Sequence, residues 1–311
     1  MAIATVAFLL VALSALLEPV VVRDSDSPAP PKGGGLPSQG SSAVAKSPKA
    51  DDRYAVDLST AGAVAIKFHR KPRAGLLFDL RSGRVLWQWK PQRRLAIASL
   101  TKMMTALLVV EREDAHERVR ISKRAVKTAG SGVGVLPKGK KVQLEALLNG
   151  LLLVSGNDAA VALAEYSGGS VPGFVRLMNR RARELGLRCT RFSSPHGLLD
   201  RGNRSCAADL AALARADMAQ RRIRRVARRS RAIVKFPIKG GKLFLYNNNP
   251  MIRLGYPGIT GLKTGYTDRA GRSIVATARR GRIELGVVLL HSSDPAVQAG
   301  KLLNRGFKAI R

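Results

Sequence analysis

The chain has 311 residues, 45% of them hydrophobic, so it can bury a substantial core, and one main domain is expected. Its formal charge of +33 should attract polyanions less strongly as salt rises, but charge does not separate nucleic acid, anionic lipid and anionic wall polymer from a surface merely decorated with arginine. His69, His116, His196 and His291 are scattered without paired-ligand spacing, which excludes a histidine-built metal centre; no metal and no cofactor are expected.

Residues 1–22 begin with an apolar run, Ala2 to Leu17, closed by Glu18 and Pro19, and read as an export signal or short membrane anchor. No Lys or Arg precedes the apolar run, and Leu13 spoils the small residue expected before a cleavage at Ala15. The run is also short for a membrane span of ~20 residues; a start site set too late would account for both departures. Residues 23–60 are rich in Pro, Gly, Ser, Ala and Lys, with Pro28-Ala29-Pro30-Pro31 and Gly33-Gly34-Gly35. Such a stretch cannot offset its ordering entropy by burial, so a disordered linker is expected, followed by a folded domain over 61–311.

Gly75 to Leu80 and Arg84 to Trp89, joined by Arg81-Ser82-Gly83, predict an antiparallel hairpin. After Pro91, the apolar positions Leu100, Met103, Met104, Leu107 and Leu108 recur at helical spacing on a broad face, predicting a deeply buried helix. At its start Ser99 and Lys102 lie three residues apart, which stacks them on one face with the amine in reach of the hydroxyl. A serine hydroxyl is a weak nucleophile without a neighbouring base, and a lysine can be that base; a helix-capping serine beside a solvated lysine is the plainer alternative.

A mostly apolar helix over Val142–Leu153 runs into Ser155-Gly156-Asn157-Asp158, where an Ala-rich helix to Tyr166 begins. Helical patterns continue over Gly173–Leu185 and Ala207–Met218, followed by a dense basic stretch from Arg221 to Arg231 with Ile223 and Val226 inside it. That stretch is either a solvated helix face or a polyanion contact. Strands return at Gly258–Gly265, Ser273–Ala278 and Ile283–Leu290, and a helix over Pro295–Lys308 closes the domain. Strands at both ends with helices between imply an α+β fold in which the two ends of the chain complete one sheet.

Ser99-x-x-Lys102, Ser155-Gly156-Asn157 and Lys263-Thr264-Gly265, in that order, resemble the motif set of penicillin-recognising serine enzymes. The flanks Ala98 to Thr105, Leu153 to Ala160, Pro195-His196-Gly197-Leu198 and Lys263 to Thr267 are similar to those of the D-alanyl-D-alanine carboxypeptidases, the low-molecular-mass penicillin-binding proteins. The resemblance covers roughly Arg73 to Phe307. It implies a β-lactamase/transpeptidase-like fold, a five-stranded antiparallel sheet flanked by helices with a mostly helical subdomain roughly over 100–231. The activity it implies is removal of the terminal D-alanine from peptidoglycan stem peptides through a Ser99 acyl-enzyme.

An ordinary lysine, pKa ~10.4, would cost about 4 to 5 kcal/mol to use as a neutral base at pH 7, so burial and the charge of Lys263 must lower the Lys102 value. By resemblance, the backbone N–H groups of Ser99 and Tyr266 bind the oxyanion, Ser155 relays a proton to the leaving D-alanine, and Asn157 binds the substrate amide and orients Lys102. Lys263, Thr264 and Thr267 hold the terminal carboxylate, and Gly265 lets the substrate approach the strand. The family often adds an arginine near the last strand, yet Ser292 to Val297 carries none, so Lys263 and the threonines must suffice or Arg272 must substitute. Anchoring, if any, is expected to be N-terminal.

Three rival readings are weaker. A Ser99, His196 and Asp200 or Asp209 triad lacks the Gly-x-Ser-x-Gly elbow. A β-lactamase-like hydrolase would need its Glu-x-x-Leu-Asn segment after Ser155, whereas Glu145-Ala146-Leu147-Leu148-Asn149 precedes it. A non-catalytic basic wall-binding module would leave the intact motif set unexplained. Cys189 and Cys206, the only cysteines, are expected to form a disulfide in an exported chain, with two buried free thiols as the alternative. Expected partners are stem peptides ending in D-Ala-D-Ala, β-lactam antibiotics and anionic envelope polymers rather than nucleic acid. The chain is read as a monomer working outside the cytoplasm, secreted or anchored at the membrane or cell wall.

Overall fold

The structure, a computed structural model, describes residues 51–198 and 202–310. The expected export segment, residues 23–50 of the expected linker, and Asp200 lie outside the described residues. Among the described residues, no helix is long and apolar enough to cross a membrane.

In chain order the elements are β1 (Ala74–Asp79), β2 (Val85–Trp89), β3 (Leu95–Ala96), a 3-10 turn (Ala98–Thr101), α1 (Lys102–Arg112), β4 (Arg118–Arg120), α2 (Lys123–Val126), β5 (Lys141–Gln143) and α3 (Leu144–Leu153). Then follow α4 (Asn157–Gly168), α5 (Val171–Glu184), β6 (Arg204–Ser205), α6 (Ala207–Ala219), α7 (Arg221–Ala227), β7 (Arg231–Lys235) and β8 (Lys242–Tyr246). The chain closes with α8 (Pro250–Arg253), β9 (Ile259–Gly265), β10 (Ser273–Arg280), β11 (Ile283–Leu290) and α9 (Pro295–Ala309).

The five-stranded antiparallel sheet runs β2-β1-β11-β10-β9, so the N-terminal hairpin pairs with the last strand, as expected of an α+β chain whose ends meet. Its alternation sorts side chains onto two faces. Leu76, Phe78, Val275 and Val288 join the helical core, whereas Leu77, Ile274, Val287 and Leu289 meet Leu302, Leu303 and Phe307 of α9. α1 lies within the helical half, against α3, α4, α5, α6 and α7, with Met103, Met104, Leu107 and Val109 fully buried. Its methionines fill core space.

Two boundaries differ from the sequence reading. Val142 belongs to β5, paired with Val119, so the helix begins at Leu144. Residues 51–60, assigned to the linker, are docked. The Asp51 N–H donates to Glu184 O at 2.7 Å, the Asp57 N–H donates to Gly83 O at 3.0 Å, and Arg215 is the clamp. From α6 the largely buried Arg215 guanidinium donates to Leu80 O at 3.0 Å, to Arg81 O at 2.8 Å and to Ala55 O. Three carbonyls on one planar fork tie a segment with little apolar surface to the β1–β2 turn.

Cys189 and Cys206 are bonded, with Cα atoms 5.6 Å apart, and tie the loop after α5 to the start of α6. Asp209 reinforces the loop, accepting from the Cys189 N–H and the Thr190 hydroxyl, both at 2.7 Å. Replacing both cysteines by serine should lower unfolding stability by about 3 kcal/mol, read as a shifted denaturant midpoint. An unchanged midpoint would mean that the bond adds nothing to this fold.

Candidate active site

Ser99 sits on the 3-10 turn entering α1, after Ala98, whose φ of 45° lies in the left-handed region that non-glycine residues avoid. The turn is locked from both sides. Pro195-His196-Gly197 packs so tightly that a Cβ on Gly197, at φ +82°, would fall 1.9 Å from Ala98 O. On the other side a Cβ on Gly265 would lie 2.9 Å from Ile97 O and 3.1 Å from the Ser99 nitrogen. Gly265 therefore lets β9 press against the serine turn, a closer constraint than the substrate approach expected of it.

Lys102 is completely buried. Its Nζ lies 2.9 Å from Ser99 Oγ, 2.7 Å from Asn157 Oδ1 and 2.9 Å from His196 O. The Asn157 orientation is fixed, because its Nδ2 donates to Ala129 O at 2.8 Å. Two of the three Nζ neighbours can therefore only accept, and the Ser99 hydroxyl alone can donate. Burial holds the Lys102 pKa well below the lysine range; the Lys263 charge lowers it further, and Asp158 opposes this. A neutral amine in that position spends its two N–H groups on Asn157 and His196 and turns its lone pair toward the Ser99 proton.

Lys263 is also buried; its Nζ donates to Thr264 O at 2.9 Å, and burial pushes its pKa down to about 7. Ser99 opens onto a cavity of about 340 Å³ that neither lysine nor Asn157 lines. Its lining brings together Ser99, Ser155, Thr264, Gly265 and Tyr266 of the expected set. Ser155, at φ 61°, has a buried Oγ without a hydrogen-bond partner among the described residues. A strained backbone holding an unsatisfied hydroxyl in a reactive cavity is a feature of functional sites.

Four expected residues fall outside the lining: the buried Lys102, Asn157 and Lys263, and Thr267. Thr267 caps the next turn, its Oγ1 accepting from the Ala270 N–H at 3.1 Å. Arg272, from the loop before β10, lines the cavity instead, with Ser131, Asn248 and Ser273. The sequence offers Arg272 as a substitute for the missing arginine and carries no signal for the other three. Ser131 is placed by the Asp158 carboxylate, which accepts from Val133 N–H at 2.9 Å and Gly134 N–H at 3.0 Å, and by its own carbonyl, which accepts from Asn157 N–H at 2.7 Å.

A profile of the D-alanyl-D-alanine carboxypeptidase family matches residues 64–294. The chain belongs to this family. It is 35% identical over 243 residues to the D-alanyl-D-alanine carboxypeptidase DacF of Bacillus subtilis, covering 76% of this chain and 62% of that one. With DacC of Escherichia coli it shares 34% identity over 258 residues, covering 76% and 61%. It thus spans about three-fifths of the length of these curated relatives. Among solved structures, a D-alanyl-D-alanine carboxypeptidase from Mycobacterium tuberculosis superposes with a TM-score of 0.72 at 30% identity, covering 78% of this chain and 94% of that one. A mutant of a Streptomyces DD-transpeptidase gives 0.73 at 29% identity, covering 78% and 100%.

Within this D-alanyl-D-alanine carboxypeptidase family site, the rival arrangements do not assemble. Burial, followed by the charge of Lys102, lowers the His196 pKa to about 4; its Nδ1 accepts from Leu198 N–H, and only its carbonyl serves Lys102. Asp209 is committed to the disulfide loop. Glu145 faces α7, paired with Arg222 at 3.2 Å and Arg225 at 3.1 Å, and Asn149 accepts from Arg229. Among the described residues one cluster has metal-ligand spacing, Cys189, Cys206 and Asp209, and its sulfurs are tied up in the disulfide.

Burial of Lys263 sets a pH dependence on stability. With a folded pKa near 7 and an unfolded value near 10.4, the unfolded chain binds the extra proton between them, so this group makes stability rise with pH across that window. Lys263→Met should remove that rise and gain on the order of 4 kcal/mol relative to wild type at neutral pH and below, measured by paired denaturant titrations. Parallel pH profiles for the two proteins would refute it.

Proposed function

We propose that the protein is a serine D-Ala-D-Ala carboxypeptidase that removes the terminal D-alanine from peptidoglycan stem peptides and is acylated by β-lactams at the same serine. The observation that carries this is the desolvated Lys102 amine, whose two accept-only neighbours leave its lone pair for Ser99. Family membership and the cavity lining support the same reading.

Lys102 takes the proton as Ser99 Oγ bonds to the penultimate D-alanine carbonyl carbon. The developing oxyanion is received by the Ser99 and Tyr266 N–H groups, at the junction where Gly265 meets the serine turn; such a donor is worth about 3 to 4 kcal/mol. Ser155 gives its proton to the leaving D-alanine nitrogen as the peptide bond breaks and is reprotonated from Lys102, which is then neutral again. Asn157 keeps Lys102 oriented. Lys263 supplies positive charge for the carboxylate, with Thr264 and Arg272 at the cavity surface; Arg272 is the proposed substitute for the arginine that Ser292 to Val297 lacks. Water then attacks the ester carbonyl as Lys102 takes its proton, and Lys102 passes that proton to Ser99 Oγ as the ester bond breaks. A carboxylate in place would draw a proton onto Lys263, so substrate capture needs its ammonium form while acylation needs the amine of Lys102.

The proposed workplace is outside the cytoplasm. The Cys189–Cys206 bond favours an oxidising compartment, and the apolar stretch at residues 2–17 is the proposed export or anchoring segment.

Incubation with fluorescent penicillin should label the wild type and leave Ser99→Ala unlabelled. Lys102→Ala should slow labelling by about two orders of magnitude or more. Against a peptide ending in D-Ala-D-Ala, kcat/KM should fall above about pH 7 as free-enzyme Lys263 loses its proton, and Lys263→Arg should abolish that alkaline limb. Arg272→Gln should raise KM about tenfold with little change in labelling of Ser99. Absence of both labelling and D-alanine release from wild type, or labelling that survives Ser99→Ala, would overturn the proposal.

A further inference from the structure

A second groove, of about 450 Å³, lies between α7 and the β9–β11 side of the sheet. Arg221, Arg224, Arg225 and Arg228 line it from one side at i, i+3, i+4 and i+7, the spacing of a single helix face. Ile223, Val226 and Ala227 are buried on the other face. Arg279 completes the basic wall, with Glu284 as the one acidic residue in the lining. Arg225 pairs with Glu145 at 3.1 Å, and Arg279 lies 3.6 Å from Glu284 and donates to Gly281 O. The guanidinium groups of Arg221, Arg224 and Arg228 have no ion pair or hydrogen bond among the described residues. Like charges at this spacing disfavour a helix. An anion in the groove would reverse that repulsion.

Position narrows the ligand. Thr260 of β9 lines this groove, and Thr264 and Gly265 of the same strand line the catalytic cavity, ~13 Å further along at ordinary strand rise. A concave slot of this volume admits a thin, flexible chain, whereas a rigid duplex presents its phosphates on a convex surface about twice a helix in width.

We propose that this arginine groove binds a flexible phosphodiester polymer of the cell envelope and holds it alongside the catalytic cavity. The envelope origin rests on the carboxypeptidase reading; anion binding by the groove does not. Guanidinium forks match phosphate oxygens in pairs, and repeating charges let the chain engage several arginines at once.

The test uses the full chain and a fluorescent glycerol-phosphate oligomer, with anisotropy read across a salt series. Combined Arg221→Gln, Arg224→Gln and Arg228→Gln should raise Kd about tenfold or more and flatten the log K against log salt slope by about 2. Penicillin labelling should stay at the wild-type rate, which separates this outcome from failure of the catalytic reading. Removing the same charge from α5, by Arg176→Gln, Arg180→Gln and Arg183→Gln, should leave Kd within about twofold. Equal weakening by the two triple variants would reduce the effect to net charge and overturn the site. An unchanged Kd in the groove variant, or tighter binding of duplex DNA than of the oligomer at equal phosphate, would overturn it as well.

Discussion

The site depends on one costly act, placing the Lys102 amine where water cannot reach it. In water a lysine at pH 7 is an ammonium and no base at all, so the proposed reaction needs the neutral form to be the favoured one. α1 favours it by lying inside the helical half of the fold, with Met103, Met104 and Leu107 buried beside the lysine. Full desolvation is not enough, because a buried amine with free N–H groups would be unsatisfied. Asn157 Oδ1 and His196 O meet that need and cannot take the lone pair's place. Three distant parts of the chain, α1, the start of α4 and the Pro195–Gly197 turn, are thus bound to one nitrogen atom.

The strain near the site follows from the same demand. Ala98 and Ser155 both sit at positive φ without being glycine. Each marks a point where the chain turns sharply so that a hydroxyl faces the cavity while its neighbours stay packed. The cost of such conformations, about 1 to 3 kcal/mol each, is tolerable only in a scaffold that over-determines them. Gly197 and Gly265 show how: both need contact distances that a Cβ would forbid, and both clamp the turn that carries Ser99. The disulfide and the Asp209 bonds stiffen the loop that leads into the Pro195–Gly197 turn.

Strand and helix periodicity exposed the sheet, the buried α1 and the closing α9, because in those elements one face is apolar and local pattern agrees with tertiary burial. The Ser99, Lys102, Ser155, Asn157 and Lys263 set was legible because its chemistry constrains type and spacing together. What escaped was held by long-range polar contacts. The β7–β8 hairpin was hidden because it carries charges along one face and leaves Ile233, Phe244 and Tyr246 exposed, so burial does not mark its strands. Residues 51–60 have linker composition, yet they fold because Arg215, far along the chain, accommodates their carbonyl. Ser131, Asn248 and Ser273 reach the cavity through loop geometry that no local pattern encodes. Thr267 lies in the turn after β9, its Oγ1 accepting from the Ala270 N–H, which leaves the O–H of the hydroxyl to donate.

The two buried lysines show how burial alone leaves function undecided. Both lose water, and both have depressed pKa values. Their surroundings then separate them. Lys102 has accept-only groups on two sides and a hydroxyl on the third, so the neutral form is complete. Lys263 has one carbonyl, Thr264 O, and stands next in sequence to Thr264, which lines the cavity with Arg272, so in the proposed reaction its charge finds compensation when an anion arrives. In the proposed reaction, a substrate carboxylate therefore brings a proton onto Lys263 at pH values above about 7, and the resulting ion pair is close to neutral as seen from Lys102. The base keeps its lone pair because the substrate's charge is matched before it can act on Lys102. Serving as base and as anion receptor at the same pH requires two lysines with different partners, and a single buried lysine could not do both.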